Sequence, residues 1–302
     1  MLAGTARLAE TGSAILAGLA PRFAPAAPVA FFRAAARKDR VPLLEVRLAE
    51  TAREVRRAQR LRYKVFFEEM EAIPSAVARL SRRDSDAFDP LCDHLLVLDH
   101  AVKRKPFRKP KPKVVGTYRL LRREIAEARF GFYAAREFDI APLLAGRPDT
   151  NILELGRSCV AKPYRSKKTI ELLWQGIWAY VQRHEVEAMI GCASLDGTDI
   201  RRLALPLSYL HHYAPAPPAW RVAALPDRRV GMNLIARDDI DARAAFKALP
   251  PLVKGYLRVG ATVGEGAVID HAFGTTDVFV VMPVEAIRGR YLDHFGPPAN
   301  AA

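Results

Sequence analysis

The stretch with the most chemistry in it is Asn151-Ile152-Leu153-Glu154-Leu155-Gly156-Arg157-Ser158-Cys159-Val160-Ala161-Lys162-Pro163-Tyr164-Arg165-Ser166-Lys167-Lys168-Thr169. Its pattern is a strand, a short basic turn and the opening of an amphipathic helix. A helix N-terminus offers bare backbone N–H groups and the positive end of the helix dipole, so this turn suits a phosphate. Glu154, on the strand that feeds the turn, sits where a reacting thioester would lie if that phosphate belonged to a pantetheine arm. An amine attacking a thioester must lose a proton, and a carboxylate within reach, directly or through water, can accept it. The combination points to acyl transfer from a carrier thioester, with Glu154 as the candidate base. A structural ion pair with Arg157 or Arg119 is the competing reading of the same carboxylate.

These residues need a scaffold, and the flanking periodicities describe one. Leu44, Val46 and Leu48 alternate with Glu45 and Arg47 as a half-buried strand does, and Thr51 to Met70 has helical spacing. Residues 81–93 read as a loop, His94 to Asp99 and Val114 to Leu121 as antiparallel strands. Ile170, Leu173, Trp174, Ile177, Trp178 and Val181 form an apolar helical stripe, and Ala188 to Leu195 a further strand. A helix over Pro251 to Val259, a Gly-rich turn and a strand over Val278 to Val284 follow. The order describes an α/β chain with a mixed sheet. The Ala-rich start suggests an N-terminal arm over 1–40, and prolines at 215, 217, 218 and 226 a main domain over 41–215 and an extension over 216–302 packed on it.

Charge narrows the partners. There are 47 basic and 33 acidic residues, a net +14. That excess fits an acidic protein, an anionic membrane face or nucleic acid. The last is not expected, because no zinc, helix-turn-helix or aromatic-basic platform is evident; a basic nucleic-acid-binding protein stands as the alternative of a different class. The tip Lys103 to Lys113 is basic and Pro-punctuated, and Phe31, Phe32, Arg33, Arg37, Lys38 and Arg40 could rest on anionic lipid. Cys92, Cys159 and Cys192 have no disulfide spacing, which fits a reducing cytoplasm, and no metal pattern is present. His94 and Asp99 form H-x-x-x-x-D, but an odd separation on a strand sends them to opposite faces. Cys159 is a weak nucleophile candidate, since burial keeps a thiol inert.

Strand, phosphate turn, helix and strand in this order resemble the GCN5-related N-acetyltransferase superfamily. More narrowly, the chain resembles the ornithine N-acyltransferases of ornithine-lipid biosynthesis through Arg62-Tyr63-Lys64-Val65-Phe66, Asp89 to Leu98, Gly116 to Leu120, Glu154 to Arg157, Gly191 to Asp199, Leu249 to Tyr256 and Val268 to His271. Acyl-homoserine-lactone synthases share a shorter part of it, and such a synthase is the enzymatic alternative. The resemblance implies two central parallel strands that splay to admit the pantetheine arm, here those ending near Val160 and Leu195. It implies transfer of a 3-hydroxyacyl chain from acyl carrier protein to the α-amine of ornithine, with no permanently bound cofactor. Arg165-Ser166-Lys167-Lys168-Thr169 lacks the glycines of acetyl-CoA enzymes, which favours a single carrier phosphate over coenzyme A. On this resemblance Val160, Tyr164, Arg165, Ser166, Lys167, Lys168 and Thr169 are the candidate pantetheine-phosphate contacts. Glu154 and Arg157 are the candidate catalytic residues. A diamino acid wants a guanidinium at its carboxylate and a carboxylate at its far amine. Arg62, Arg119 and Arg157 are candidates for the first, Asp93, Asp196, Asp199 and Asp270 for the second. Phe66 and Tyr63 could wall the acyl chain. The expected location is the cytoplasm, with a peripheral seat on the inner membrane.

Overall fold

A computed structural model describes residues 43–101 and 111–287. The arm over 1–40 and most of the basic tip lie outside the described residues.

The first strand, β1 (Leu44–Leu48), leads into α1 (Ala52–Tyr63). The helix starts where a capping pattern demands it: Thr51 Oγ1 accepts the Glu54 N–H, and Glu54 reaches back to the Glu50 N–H. It ends in a π-helical turn, Lys64–Glu69, and a short α2 (Ala76–Ser81) follows. Next come β2 (Asp93–Asp99), β3 (Lys113–Arg122), α3 (Arg123–Glu127), β4 (Phe138–Asp139) and α4 (Ala141–Gly146). The central unit is β5 (Ile152–Val160), α5 (Lys167–Arg183) and β6 (Ala188–Asp196). After α6 (Ala204–Tyr213) and the short β7 (Ala223–Ala224) and β8 (Arg229–Val230) come α7 (Ala242–Ala248), α8 (Pro251–Val259), β9 (Thr262–Asp270) and β10 (Thr275–Pro283).

All ten strands join one mixed sheet in the order β1-β2-β3-β5-β6-β10-β9-β7-β4, with β8 beside β9. The strands β2, β3 and β10 are buried on both faces along most of their length, which is why β2 reads as a continuous apolar run. On one face α5 packs through Leu172, Leu173, Ile177 and Val181, joined by residues of α6 and α8. Gly176 lets α5 sit close: a Cβ there would lie 2.7 Å from Val46 Cγ2. The other face carries α1 and the chain from Phe132 to Leu143.

Two sequence expectations are corrected. Ile170 is exposed, and Leu172 and Tyr180 join the buried stripe of α5 instead. The glycines of 264 and 266 belong to β9, not to a turn. A Cβ at Gly264 would meet the Val222 carbonyl oxygen at 2.5 Å, so that glycine marks a close backbone approach. Within the stretch 216–302, β10 pairs with β6 along its whole length. Among the described residues no helix is long and apolar enough to cross a membrane.

Candidate active site

The parallel pair β5 and β6 is joined only at Ile152–Ala188, Leu153–Met189 and Glu154–Ile190. Beyond Glu154 the strands part. The outer edge of β5 stays paired with β3 as far as Val160, so its inner edge from Leu155 onward faces an open fork with backbone groups to offer. Two features make the fork. At Gly191 a Cβ would lie 2.4 Å from the Leu155 carbonyl oxygen, so only glycine fits the last point of contact. Just beyond, β5 bulges, three of its residues spanning two of β3, and Arg157 takes a left-handed φ of 51°. Such a conformation costs a non-glycine residue about 1–3 kcal/mol and is kept where surroundings enforce it. A small apolar cavity lies at the fork, lined by Leu155, Met189, Gly191, Tyr256, Val280 and Met282. The buried Tyr118 and Tyr256 hydroxyls bond to each other nearby.

Glu154 is the last paired residue before the fork. Its carboxylate is buried and accepts the backbone N–H groups of Tyr133 and Ala134, each at 2.7 Å. Those amides open a one-turn helix, Tyr133–Arg136. The ion pair with Arg157 or Arg119 anticipated as the alternative is replaced by these amide contacts. Burial pushes the Glu154 carboxyl up, and the two amides, Arg119 and Arg157 only partly oppose that. A carboxylate held in place, raised in proton affinity and beside the open edge of β5 has the attributes of a general base.

The candidate guanidinium groups lie together but are not equally free. Arg62 is 1 % exposed, bonds Asp89 at 2.8 Å and the Asp84 backbone oxygen at 2.5 Å, and pairs with the Asp84 carboxylate. Arg119 is held by Asp86 at 2.7 and 2.8 Å and lies over the Phe88 and Tyr133 rings. Arg119 is engaged, and Arg62, although its Nη1 has no hydrogen-bond partner, is enclosed and ion-paired with Asp84 and Asp89, so neither is placed to clamp a substrate carboxylate. Arg157 has longer contacts: 3.3 Å to Asp84, 3.4 Å to Asp86 and 3.3 Å to the Tyr133 hydroxyl, with its guanidinium over the Tyr133 and Phe273 rings. It is the guanidinium with capacity left. Burial alone would raise Asp86, but Arg119 and Arg157 hold it below the ordinary carboxylate range. Sequence reading missed Asp84 and Asp86 because they sit in an irregular segment whose spacing carries no periodic signal.

The phosphate turn is part structural. Ser166 caps α5, its Oγ accepting the Thr169 N–H at 3.4 Å. Thr169 is buried with its hydroxyl 3.2 Å from Ser166 Oγ, so the Thr169 side chain serves the cap and does not face a phosphate. Arg165 donates to the Val160 carbonyl at 3.0 Å and to Glu69 at 2.6 Å. Tyr164 donates to Asp99 at 2.7 Å, which turns its hydroxyl away from the fork. Lys162, Lys167 and Lys168 are exposed around the helix start, where the first amides of a helix lack intrahelical acceptors.

Of the anticipated carboxylates, Asp93 is bonded to the Tyr180 hydroxyl at 2.7 Å on the α5 face, opposite to Arg119 and Glu154. Asp196 is exposed at the end of β6. Asp199 caps its own turn, accepting the Arg201 N–H and pairing with Arg202. Asp270 is the one whose carboxylate meets Glu137 and Asp277, with oxygens of all three within 4.8 Å of one another. Neither Glu137 nor Asp277 stood out in the sequence: three distant segments bring them together. His94 bonds the Asp89 carbonyl and Asp99 bonds Tyr164, so those two do not cooperate. Burial pushes the Cys159 thiol up to about 12, consistent with an inert sulfur.

Comparison with known proteins places this geometry. A family described as an acetyltransferase (GNAT) domain matches residues 61–175. The chain is 50 % identical over 264 residues to the L-ornithine N(alpha)-acyltransferase of Brucella abortus (strain 2308), covering 86 % of this chain and 92 % of that one. It is 51 % identical over 261 residues to the protein of that name in Agrobacterium fabrum (strain C58 / ATCC 33970), covering 86 % and 88 %. Among solved structures, FeeM, an N-acyl amino acid synthase from uncultured soil microbes, aligns with a TM-score of 0.43 at 10 % identity over 81 % of this chain and 93 % of that one. On the strength of the sequence relatives, the chain belongs to the L-ornithine N(alpha)-acyltransferase family and is an acyltransferase.

Proposed function

We propose that this protein transfers a 3-hydroxyacyl chain from the phosphopantetheine thioester of acyl carrier protein to the α-amine of L-ornithine, giving lyso-ornithine lipid. The observation that carries the reading is the fork beyond Glu154, where β5 leaves an unpaired edge beside a buried carboxylate. The pantetheine arm lies in the fork, its phosphate at the start of α5 near Lys167 and Lys168. Edge amides of β5 polarise the thioester carbonyl as oxyanion charge develops. The α-amine attacks, the N–C bond forms, and Glu154 takes the amine proton directly or through a water molecule. The C–S bond then breaks and the carrier thiol leaves with a proton. Arg157 orients the amino acid through its carboxylate.

The experiment is incubation of purified protein with 3-hydroxyacyl carrier protein and either ornithine or S-adenosylmethionine, followed by product mass. An N-acylornithine is expected; carrier release without an acylated amine overturns the reading. Glu154→Gln should slow turnover on the order of 10²–10⁴-fold with little change in KM for the carrier, and unchanged turnover removes Glu154 from the chemistry.

The location that suits this product is the cytoplasmic face of the inner membrane, held peripherally. Val77 and Leu80 on α2 and Ile73 just before it are exposed beside exposed Arg79 and Arg82, a surface suited to anionic lipid. Co-sedimentation with anionic vesicles, reversed by salt, is expected; equal binding to neutral vesicles argues against it.

A further inference from the structure

The one-turn helix that holds Glu154 at its start ends at Glu137. Glu137 thus enters the same face of the sheet as Glu154, and there it meets two carboxylates from the far side of the fork. Asp277 is opposite Ser194 in the β6–β10 register, and Asp270 ends β9. Glu137 and Asp277 are buried and Asp270 is half-buried. Three carboxylates this close repel one another unless a cation sits among them.

The cations on hand do not fill the gap. Arg228 lies 3.6 Å from Glu137 Oε1, with its own side chain 36 % exposed. Glu137 Oε2 points inward, buried, and no nitrogen or oxygen donor among the described residues reaches it. Cys192 offers it a thiol, which is a weak donor. An orphaned buried carboxylate oxygen costs free energy that a native fold normally avoids. On the other side of the cluster, Asp277 feels the charge of Arg157, the guanidinium with capacity left. An elongated molecule with an anionic end at Arg157 and a cationic end among the carboxylates would therefore bridge the two.

We propose that Glu137, Asp270 and Asp277 bind the side-chain ammonium of the acceptor amino acid, and so select a diamino acid over one whose side chain ends uncharged. This rests on the reading of the protein as an ornithine N-acyltransferase. An alkylammonium offers three N–H donors, one for each carboxylate. Its docking beside Glu137 leaves the α-carboxylate toward Arg157 and the α-amine in front of the fork. The site discriminates because an acceptor without the far amine would leave the carboxylates buried and unpaired.

The test compares ornithine with norvaline, which has the same carbon chain without the side-chain amine, in the wild type, Glu137→Gln and Asp277→Asn. Wild-type kcat/KM should favour ornithine by on the order of 10²-fold or more. In each variant that preference should fall by about tenfold or more, with the loss in the ornithine KM. Thermal melts of the isosteric variants check that they fold. A variant that slows both amines equally assigns Glu137 to the chemistry or the framework, and overturns the inference. An unchanged preference overturns it as well. So does tight binding of calcium or magnesium by the amine-free protein with loss of that binding in the variants, since the cluster would then be a metal site. If wild-type protein acylates ornithine, any of these failures falls on this inference alone; if it acylates neither amine, the ornithine reading falls first.

Discussion

Two clusters of buried charge flank Glu154, and they are built differently. On one side Arg62 and Arg119 are matched by Asp84, Asp86 and Asp89, with contacts at 2.5–2.8 Å holding both cations. On the other side Glu137, Asp270 and Asp277 face one another with one partly exposed arginine at 3.6 Å. The first cluster is balanced within the protein and behaves as framework: it ties α1, the segment 84–89 and β3 into a wall behind the fork. Each cluster holds buried atoms without a hydrogen-bond partner, Arg62 Nη1 in the first and Glu137 Oε2 in the second, but in the second no matching cation among the described residues stands between the carboxylates, which suits a place completed by something that is not the protein. The same residue types, equally buried, divide into structure and recognition according to whether their charges close locally. Arg157 stands between the two, with contacts to the first and electrostatic reach to the second.

The sharpest way to break that contrast is to remove a member of the balanced cluster. Arg62→Ala removes the nearest cation from the buried Asp89 and Asp84, leaving them Arg119 at 3.5 Å and Arg157 at 3.3 Å. Breaking a buried pair from one side costs about 3–5 kcal/mol. The expected outcome is a large fall in the midpoint of thermal or denaturant unfolding, and a midpoint close to that of the wild type would show that the cluster is not framework.

The unbalanced cluster should respond to pH instead. Burial, helped by Asp277 and Asp270 and opposed by Arg228 and Cys192, pushes the Glu137 carboxyl from 4.5 up to about 7. Because its folded value is raised, the native chain holds more protons than the unfolded chain between those two values. The associated stability is therefore complete below about 4.5 and is lost as pH rises through about 7. An arriving ammonium reverses the preference, since it favours the ionised carboxylate. The ornithine KM should accordingly worsen as pH falls below about 7, while norvaline, which shares the α-amine titration, shows no matching trend. Glu137→Gln should flatten the difference between the two profiles. Parallel profiles for both amines in the wild type would detach Glu137 from the ammonium.

The unequal roles of these clusters were not legible in the chain, although much else was. Helix caps, apolar stripes and the Glu154-to-Thr169 run act locally, so spacing alone located β5, the turn and α5. The fork matches the resemblance, and it opens past the tight Gly191–Leu155 contact where β5 bulges at Arg157, features of strand pairing that no local pattern encodes. In the sequence Arg62 and Arg119 read as substrate ligands because an isolated arginine says nothing about its partners. Those partners, Asp84, Asp86 and Asp89, sit in a segment without periodicity. Glu137, Asp270 and Asp277 come from a one-turn helix and the ends of β9 and β10, so only the closed sheet reveals them as neighbours. Asp93 shows the converse: one position from His94, it was a reasonable candidate until the strand alternation put it under α5 with Tyr180.

Away from both clusters, the cations around the start of α5 should produce the smallest effect. Lys167 is 89 % exposed and reaches Glu171 at 3.4 Å, a solvent-screened contact of little structural weight. Arg165 is different, since it bridges Glu69 and the Val160 carbonyl and so helps set the turn. Replacing Lys167 and Lys168 together with Ala should leave the unfolding midpoint nearly unchanged and raise KM for the acyl carrier protein by roughly three- to tenfold, the scale of rim charges that steer an acidic partner. Because exposed charges are screened over about 10 Å at 0.1 M salt, the difference between variant and wild type should shrink as salt is added. The Glu137 effect on ornithine, seated in a buried cluster, should persist at the same ionic strength. If added salt abolishes both effects alike, the distinction between a solvated docking rim and an interior recognition site is lost; if it abolishes neither, Lys167 and Lys168 touch the phosphate at close range instead of guiding the carrier from the surface.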